Sequence, residues 1–234
     1  MPFADHADLQ LWWESFGDPE DPTLLLVNGL GSPCTNFRPP WIQQFVERGL
    51  RVLRFDNRDV GRSTWFDEAG TDGPAYTLVD MAGDAVAVLD AAGVDRAHVL
   101  GLSMGGMIVQ TLAIHHPERL RSMTSMMSTT GDPDVGRPSP ESLTHLLTPA
   151  PVDREGFLAH QVRSVQTWGS APEHLDEASF LEMHGEGYDR ASHPDGQLRQ
   201  MYAVRTAPSR TEALGAVRVP ALVLHGDRDR LIDP

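Results

Sequence analysis

Short apolar runs recur along the chain and alternate with longer segments whose apolar residues return at intervals of three and four. Thr23 to Val27, Leu50 to Phe55, Ala97 to Leu100 and Leu120 to Met127 read as buried strands, and Val219 to Leu224 reads as another. Leu9, Leu11 and Trp13 alternate with a polar residue or Trp12, as in a half-exposed strand. Between these runs, Pro40 to Arg48 places Trp41, Ile42, Phe45 and Val46 on one helical face, with Gly49 as its stop. Thr77 followed by Asp80 has the spacing of a capping box, after which Met81, Ala85, Val88, Leu89 and Ala92 keep helical spacing up to Gly93. Met104 to Ile114 is apolar on almost every face, as expected of a helix buried inside a sheet layer, and Pro117 ends it.

This alternation predicts an α/β fold, a mostly parallel sheet with helices on both faces. It breaks once. From Pro133 to about Pro208 the chain is rich in Pro, His, Glu and Met and carries no clear strand. Variable insertions in such sheets sit at the carboxyl ends of strands, where ligands bind, so the break reads as a largely helical cap inserted after strand six. The expected division is a first core part over 1–132, a cap over 133–208 and a second core part over 209–234. Phe157, Trp168, Phe180, Met183, Tyr188, Met201 and Tyr202 give the cap apolar material to roof a pocket. Packing of the cap onto the core accounts equally for most of them.

Composition narrows the classes. A chain of 234 residues can bury one sizeable core plus an insertion. A formal charge of −14 argues against nucleic acid as a partner, because phosphate binding needs a basic stripe. Every cationic side chain is arginine, which reads as coding bias. Cys34 stands alone, and Met1 to Gln10 has neither a basic start nor an apolar stretch, so a reducing cytoplasm is the default compartment. No run approaches the length of a membrane span.

The candidate chemistry centres on Gly101-Leu102-Ser103-Met104-Gly105, which fits G-x-S-x-G between a strand-like and a helix-like run. A turn this sharp strains its central residue and needs small neighbours, here Gly101 and Gly105, so Ser103 is pushed out above the sheet. The bland reading is a glycine-rich turn with an incidental serine. An ester-cleaving serine needs donors for the charge that develops on the carbonyl oxygen. The Met104 amide is one, and the Leu30 amide in the turn Asn28-Gly29-Leu30-Gly31 is the other, with Asn28 placed to brace that turn. A general base and an acid that orients it complete the set, in the chain order Ser, Asp or Glu, His. Asp227, Asp229 and Asp233 all follow the strand Val219 to Leu224, and Asp132 or Asp134 is an alternative after the preceding strand.

On these motifs the chain resembles the serine α/β-hydrolases, and within them bacterial small-molecule esterases of the aclacinomycin methylesterase type. The segment Phe55-Asp56-Asn57-Arg58-Asp59-Val60-Gly61-Arg62-Ser63 is similar to that group's structural D-x-R-x-x-G-x-S loop, and Gly226-Asp227-Arg228-Asp229 matches its G-x-x-D spacing. The resemblance implies an α/β-hydrolase fold with Asp229 as the acid, and a serine nucleophile unlike the aspartate of haloalkane dehalogenases and epoxide hydrolases. It also implies that the catalytic histidine lies one strand beyond the acid, so that it is expected past residue 234, together with the last strand and helix. Among the histidines present, His115 and His116 end a helix far from the carboxyl rim, and His98 sits early on the Ser103 strand. His145, His160, His174, His184 and His193 are scattered through the cap, and His225 at a strand end reads as structural. The implied activity is hydrolysis of a hydrophobic small-molecule ester, thioester or lactone through an acyl-enzyme, without metal or cofactor. A 234-residue chain lacking that histidine is expected to turn over little substrate by itself and to expose a hydrophobic sheet edge. A ligand-binding module on the same scaffold is the alternative. A homo-oligomer, or a second polypeptide supplying the final strand, helix and histidine, is a further reading.

Overall fold

In the computed structural model, residues 3–69 and 73–234 are described. Met1 and Pro2, which open the amino-terminal stretch read above, lie outside them. The strands are β1 (Phe3–His6), β2 (Leu9–Phe16), β3 (Thr23–Val27), β4 (Arg51–Phe55), β5 (Ala97–Leu102), β6 (Leu120–Met126) and β7 (Ala221–Leu224). They form one sheet in the order β1-β2-β4-β3-β5-β6-β7. The first three in that order pair antiparallel, and the rest of the sheet is parallel. β1 has no counterpart in the sequence pattern. Four residues are too few to show a period, and Ala4 becomes buried by pairing opposite Leu11 across a turn in which Ala7 takes φ 52°.

β3 shows how the pattern produces the layers. All five residues are buried, and because successive side chains point to opposite faces, Leu25 and Val27 join one core and Leu24 and Leu26 the other. The second core is completed by Phe37, by Ile42 of α1 (Pro39–Val46) and by Val52 and Leu100. The first and larger core takes Met81, Ala85, Val88 and Leu89 of α2 (Leu78–Ala91), together with Met104, Ile108 and Leu112 of α3 (Met104–His115). α3 is buried from Met104 through Ala113, so its nearly uniform apolar sequence is matched by burial on every side. The capping box that opens α2 is made: Asp80 N donates to Thr77 Oγ1 at 3.2 Å, and Thr77 N to Asp80 Oδ2 at 2.8 Å.

Between β6 and β7 the chain forms α4 (Pro140–Leu146), α5 (Arg154–Trp168), α6 (Glu177–Arg190) and α7 (Pro194–Thr206), followed by the short α8 (Thr211–Leu214). Side-chain caps start three of them: Ser139 accepts from Ser142 N, Asp153 from Gly156 N and Asp176 from Ser179 N. Two of the longer helices, α6 and α7, are fastened to the sheet through the loop after β4. Asp56 receives Cys34 N at 2.8 Å, Arg62 N at 2.9 Å and Arg190 Nη2 of α6 at 2.6 Å. Asp59 receives Arg199 of α7, and Arg58 grips Asp84 of α2 with two bonds of 2.6 and 2.7 Å. The D-x-R-x-x-G-x-S segment is thus the junction of three helices with the sheet; Asp56, Arg58 and Asp59 are each paired, and Arg62 lies over the Trp12 ring. β7 is the last strand of the sheet order, and Leu222, Val223 and Leu224 on it are exposed.

Candidate active site

The turn from β5 to α3 forces Ser103 into φ 53°, ψ −118°, a left-sided conformation that costs a non-glycine residue energy. Surrounding contacts hold it there. Ser103 N donates to Met126 O at 2.9 Å, and the Ser103 carbonyl accepts Ser128 Oγ at 2.8 Å and Met107 N at 3.2 Å. The backbones on either side touch. A Cβ on Gly101 would sit 2.1 Å from Gly105 O, and one on Gly105 would sit 2.1 Å from Val27 O, so neither position accepts a side chain. The hydroxyl of Ser103 has no hydrogen-bond partner among the described residues and lines a cavity of about 620 Å³.

The turn after β3 lies against the same spot. A Cβ on Gly29 would be 3.4 Å from Ser103 Cβ. Asn28 holds the turn in shape: its Nδ2 donates to Pro33 O at 2.8 Å, and its Oδ1 accepts Gly29 N at 2.8 Å. Gly31, at φ 62°, gives its amide to Gln200 Oε1 of α7 at 2.8 Å. Among the described residues, the amides of Leu30 and Met104 have no acceptor, and both residues line the cavity with Ser103. Met104 opens α3, so its N–H also carries the partial positive charge of a helix start. The arrangement offers a nucleophilic oxygen and two donors to one small volume.

The other wall comes from the helices after β6. Phe157 and Trp168 of α5, Phe180, Met183, His184 and Tyr188 of α6 and Met201 of α7 line the cavity; Tyr202 does not. Burial lowers the pKa of His184 to about 4, and burial with the neighbouring His145 lowers that of His160. His193, which precedes the first residue of α7, stacks on Trp65 at 4.2 Å and contacts Arg199 Nη2 at 2.8 Å.

Asp229 sits in the turn after β7. Its Oδ1 accepts the amides of Leu231 and Ile232 at 2.8 and 2.9 Å, which sets those two residues into the cavity wall. Its Oδ2 lies 3.3 Å from His225 Nε2, which is also 2.8 Å from the Ile232 carbonyl. His225 and Asp229 do not themselves line the cavity. Of the alternative acids, Asp227 and Asp233 are exposed, Asp134 pairs with Arg137, and Asp132 Oδ1 accepts the Asp134 amide at 2.9 Å. His98 bonds Ser122 between β5 and β6 at 2.8 Å.

The profile of the family described as the alpha/beta hydrolase fold matches residues 22–234. The chain belongs to that family. As an α/β-hydrolase-fold chain it is 34% identical over 191 residues to rhodomycin D methylesterase from Streptomyces sp. strain C5, covering 77% of this chain and 61% of that protein. It is 36% identical over 168 residues to rhodomycin D methylesterase from Streptomyces peucetius, covering 63% and 55%. The chain therefore spans somewhat over half the length of these relatives. The enol-lactonase from Burkholderia xenovorans LB400 superposes with a TM-score of 0.73 at 25% identity, over 95% of this chain and 80% of that one. Among the described residues, no helix is long and apolar enough to cross a membrane, and no cluster of His, Cys, Asp or Glu could hold a metal ion.

The sequence reading missed the side chains that join the two walls, Arg190, Arg199 and Gln200. Their partners lie more than a hundred residues away in the chain, at separations of 134, 140 and 142, where no local period reaches. Their only sequence signal is the loop motif that supplies Asp56 and Asp59.

Proposed function

We propose that the protein is a carboxylic ester hydrolase in which Ser103 attacks the acyl carbon of a hydrophobic small-molecule ester or lactone. The carrying observation is the strained Ser103 hydroxyl facing the same cavity as the unpartnered Leu30 and Met104 amides. In the first half-reaction the Oγ–C bond forms, the hydroxyl proton passes to a histidine, and the two amides hold the oxyanion. The C–O bond to the leaving group then breaks, the alcohol takes the proton, and water releases the acid from the acyl-serine. Asp229 is the acid that orients the histidine. None of the histidines among the described residues is bonded to Ser103, so the base is assigned to none of them, and His225 keeps its structural place beside Ile232.

The helices over 133–208 act as the cap that roofs the site, and the cap's aromatic lining favours apolar substrates. Relatives named as methylesterases and a structural neighbour named as an enol-lactonase support a methyl ester or lactone as the scissile group. A reducing compartment suits Cys34, which is buried as a free thiol.

Hydrolysis of 4-nitrophenyl butyrate by the gene product read to its stop codon tests the proposal. Ser103→Ala is expected to lower turnover by several orders of magnitude while the circular dichroism spectrum stays the same. Turnover that survives the substitution would refute it.

A further inference from the structure

His184 is a polar side chain of the cavity that the proposed chemistry leaves unused. It projects from α6 among aromatic rings, its own ring centroid 4.3 Å from that of Phe180 and 6.5 Å from that of Phe157. Among the described residues neither of its nitrogens has a hydrogen-bond partner, yet it lines the cavity. Of the neighbouring polar side chains, Tyr188 is committed elsewhere and His160 is held in a ring stack. Tyr188 donates its hydroxyl to Val152 O at 2.7 Å, and His160 stacks on His145, which bonds Ser164 at 2.9 Å. His184 is half-buried, and a ring nitrogen that faces the cavity without a protein partner is open to a ligand atom that completes its hydrogen bond.

Charge narrows the ligand further. Among the described residues no arginine lines the cavity, and the one carboxylate that does, Asp59, is saturated by Arg199, Tyr76 and the Phe66 amide. Burial keeps His184 unprotonated at neutral pH, so it offers one N–H donor and one bare nitrogen. A hydroxyl can meet either. A carboxylate entering such a cavity would lose its hydration and gain no cation, and the protein's charge of −14 opposes its approach.

Resting on the ester-hydrolase reading, we infer that His184 is a specificity-determining contact that hydrogen-bonds a hydroxyl on an aromatic, uncharged ester, and that the cavity excludes esters carrying a carboxylate.

Binding to Ser103→Ala protein, measured by isothermal titration calorimetry, tests this without turnover, so a failure of the hydrolase reading remains a separate result. The probes are methyl 2-naphthoate, methyl 6-hydroxy-2-naphthoate and the monomethyl ester of 2,6-naphthalenedicarboxylic acid. The hydroxy ester is expected to bind about tenfold tighter than its parent, as one net hydrogen bond gives. The carboxylate is expected to bind at least about tenfold more weakly than the parent. Adding His184→Phe, which keeps an aromatic ring, removes the hydroxyl preference but leaves the parent ester bound; adding His184→Gln instead retains part of the preference. Equal affinity for parent and hydroxy ester, a preference that survives His184→Phe, tight binding of the carboxylate, or no binding of any probe would each overturn the inference.

Discussion

Arg199 closes on Asp59 at two points, Nη2 to Oδ1 at 2.8 Å and Nε to Oδ2 at 2.9 Å, with both side chains out of solvent. This pair fixes α7, and with it one side of the proposed cap, to the loop that follows β4. Burial alone would raise the pKa of Asp59. Hydrogen bonds from Arg199, the Phe66 amide and Tyr76, with the Arg199 charge, more than offset that and hold the carboxyl below its ordinary value. The same burial, with the Asp59 charge beside it, pushes Tyr76 upward, so it stays a donor.

Removing one member of this pair leaves a buried charge uncompensated. Arg199→Met is expected to destabilise the protein by about 3–5 kcal/mol in urea denaturation. The double variant Asp59→Asn/Arg199→Met should cost less than the two single changes added together. Because Asp59 has a depressed pKa in the fold, its contribution is present above the ordinary carboxylate range and lost as pH falls through the folded value. Additive losses in the cycle would show that the two side chains do not depend on each other.

His184 titrates in the opposite chemical sense but acts in the same direction on stability. Its folded pKa of about 4 lies below the ordinary 6.5, so the unfolded chain takes up the proton first. Stability from this group is full above about 6.5, falls as pH drops toward 4, and levels off below. Denaturation curves across that window should show a slope that His184→Phe reduces. An NMR midpoint for His184 near or above 6.5 would contradict the burial that the cavity geometry gives it.

The glycines of the elbow predict a sharp contrast. Gly105→Ala would drive a methyl to 2.1 Å from the Val27 carbonyl, a backbone atom that cannot turn aside, whereas among the described residues nothing lies within 4 Å of the equivalent position at Gly226. The first change is expected to cost about 3 kcal/mol or more, and Gly226→Ala to stay within about 0.5 kcal/mol. Thermal melts of the two variants distinguish these outcomes, and equal melting temperatures would refute the close approach.

Much of the sheet was legible because its signals are local. β3 and β5 are short apolar runs, the α2 start is written in Thr77 and Asp80, and the Ser103 turn is written in its glycines. The helices over the sheet were legible only as an interruption. Several of their apolar side chains face a cavity and some of their arginines face the sheet loop, so the usual contrast between an apolar and a solvated stripe is blurred. Arg190 and Arg199 look like surface charges until their partners are seen. His184 was one histidine among several, and only its place in the cavity wall sets it apart.

The central claim is that Ser103 is the nucleophile, and covalent trapping tests it most directly. Protein expressed from the encoding gene to its stop codon is incubated with a fluorophosphonate, digested and mapped by mass spectrometry. A single adduct on Ser103, absent from Ser103→Ala, is the result the geometry predicts, because that hydroxyl shares its cavity with the Leu30 and Met104 amides. An adduct on another serine, or none in a preparation that hydrolyses esters, would contradict it.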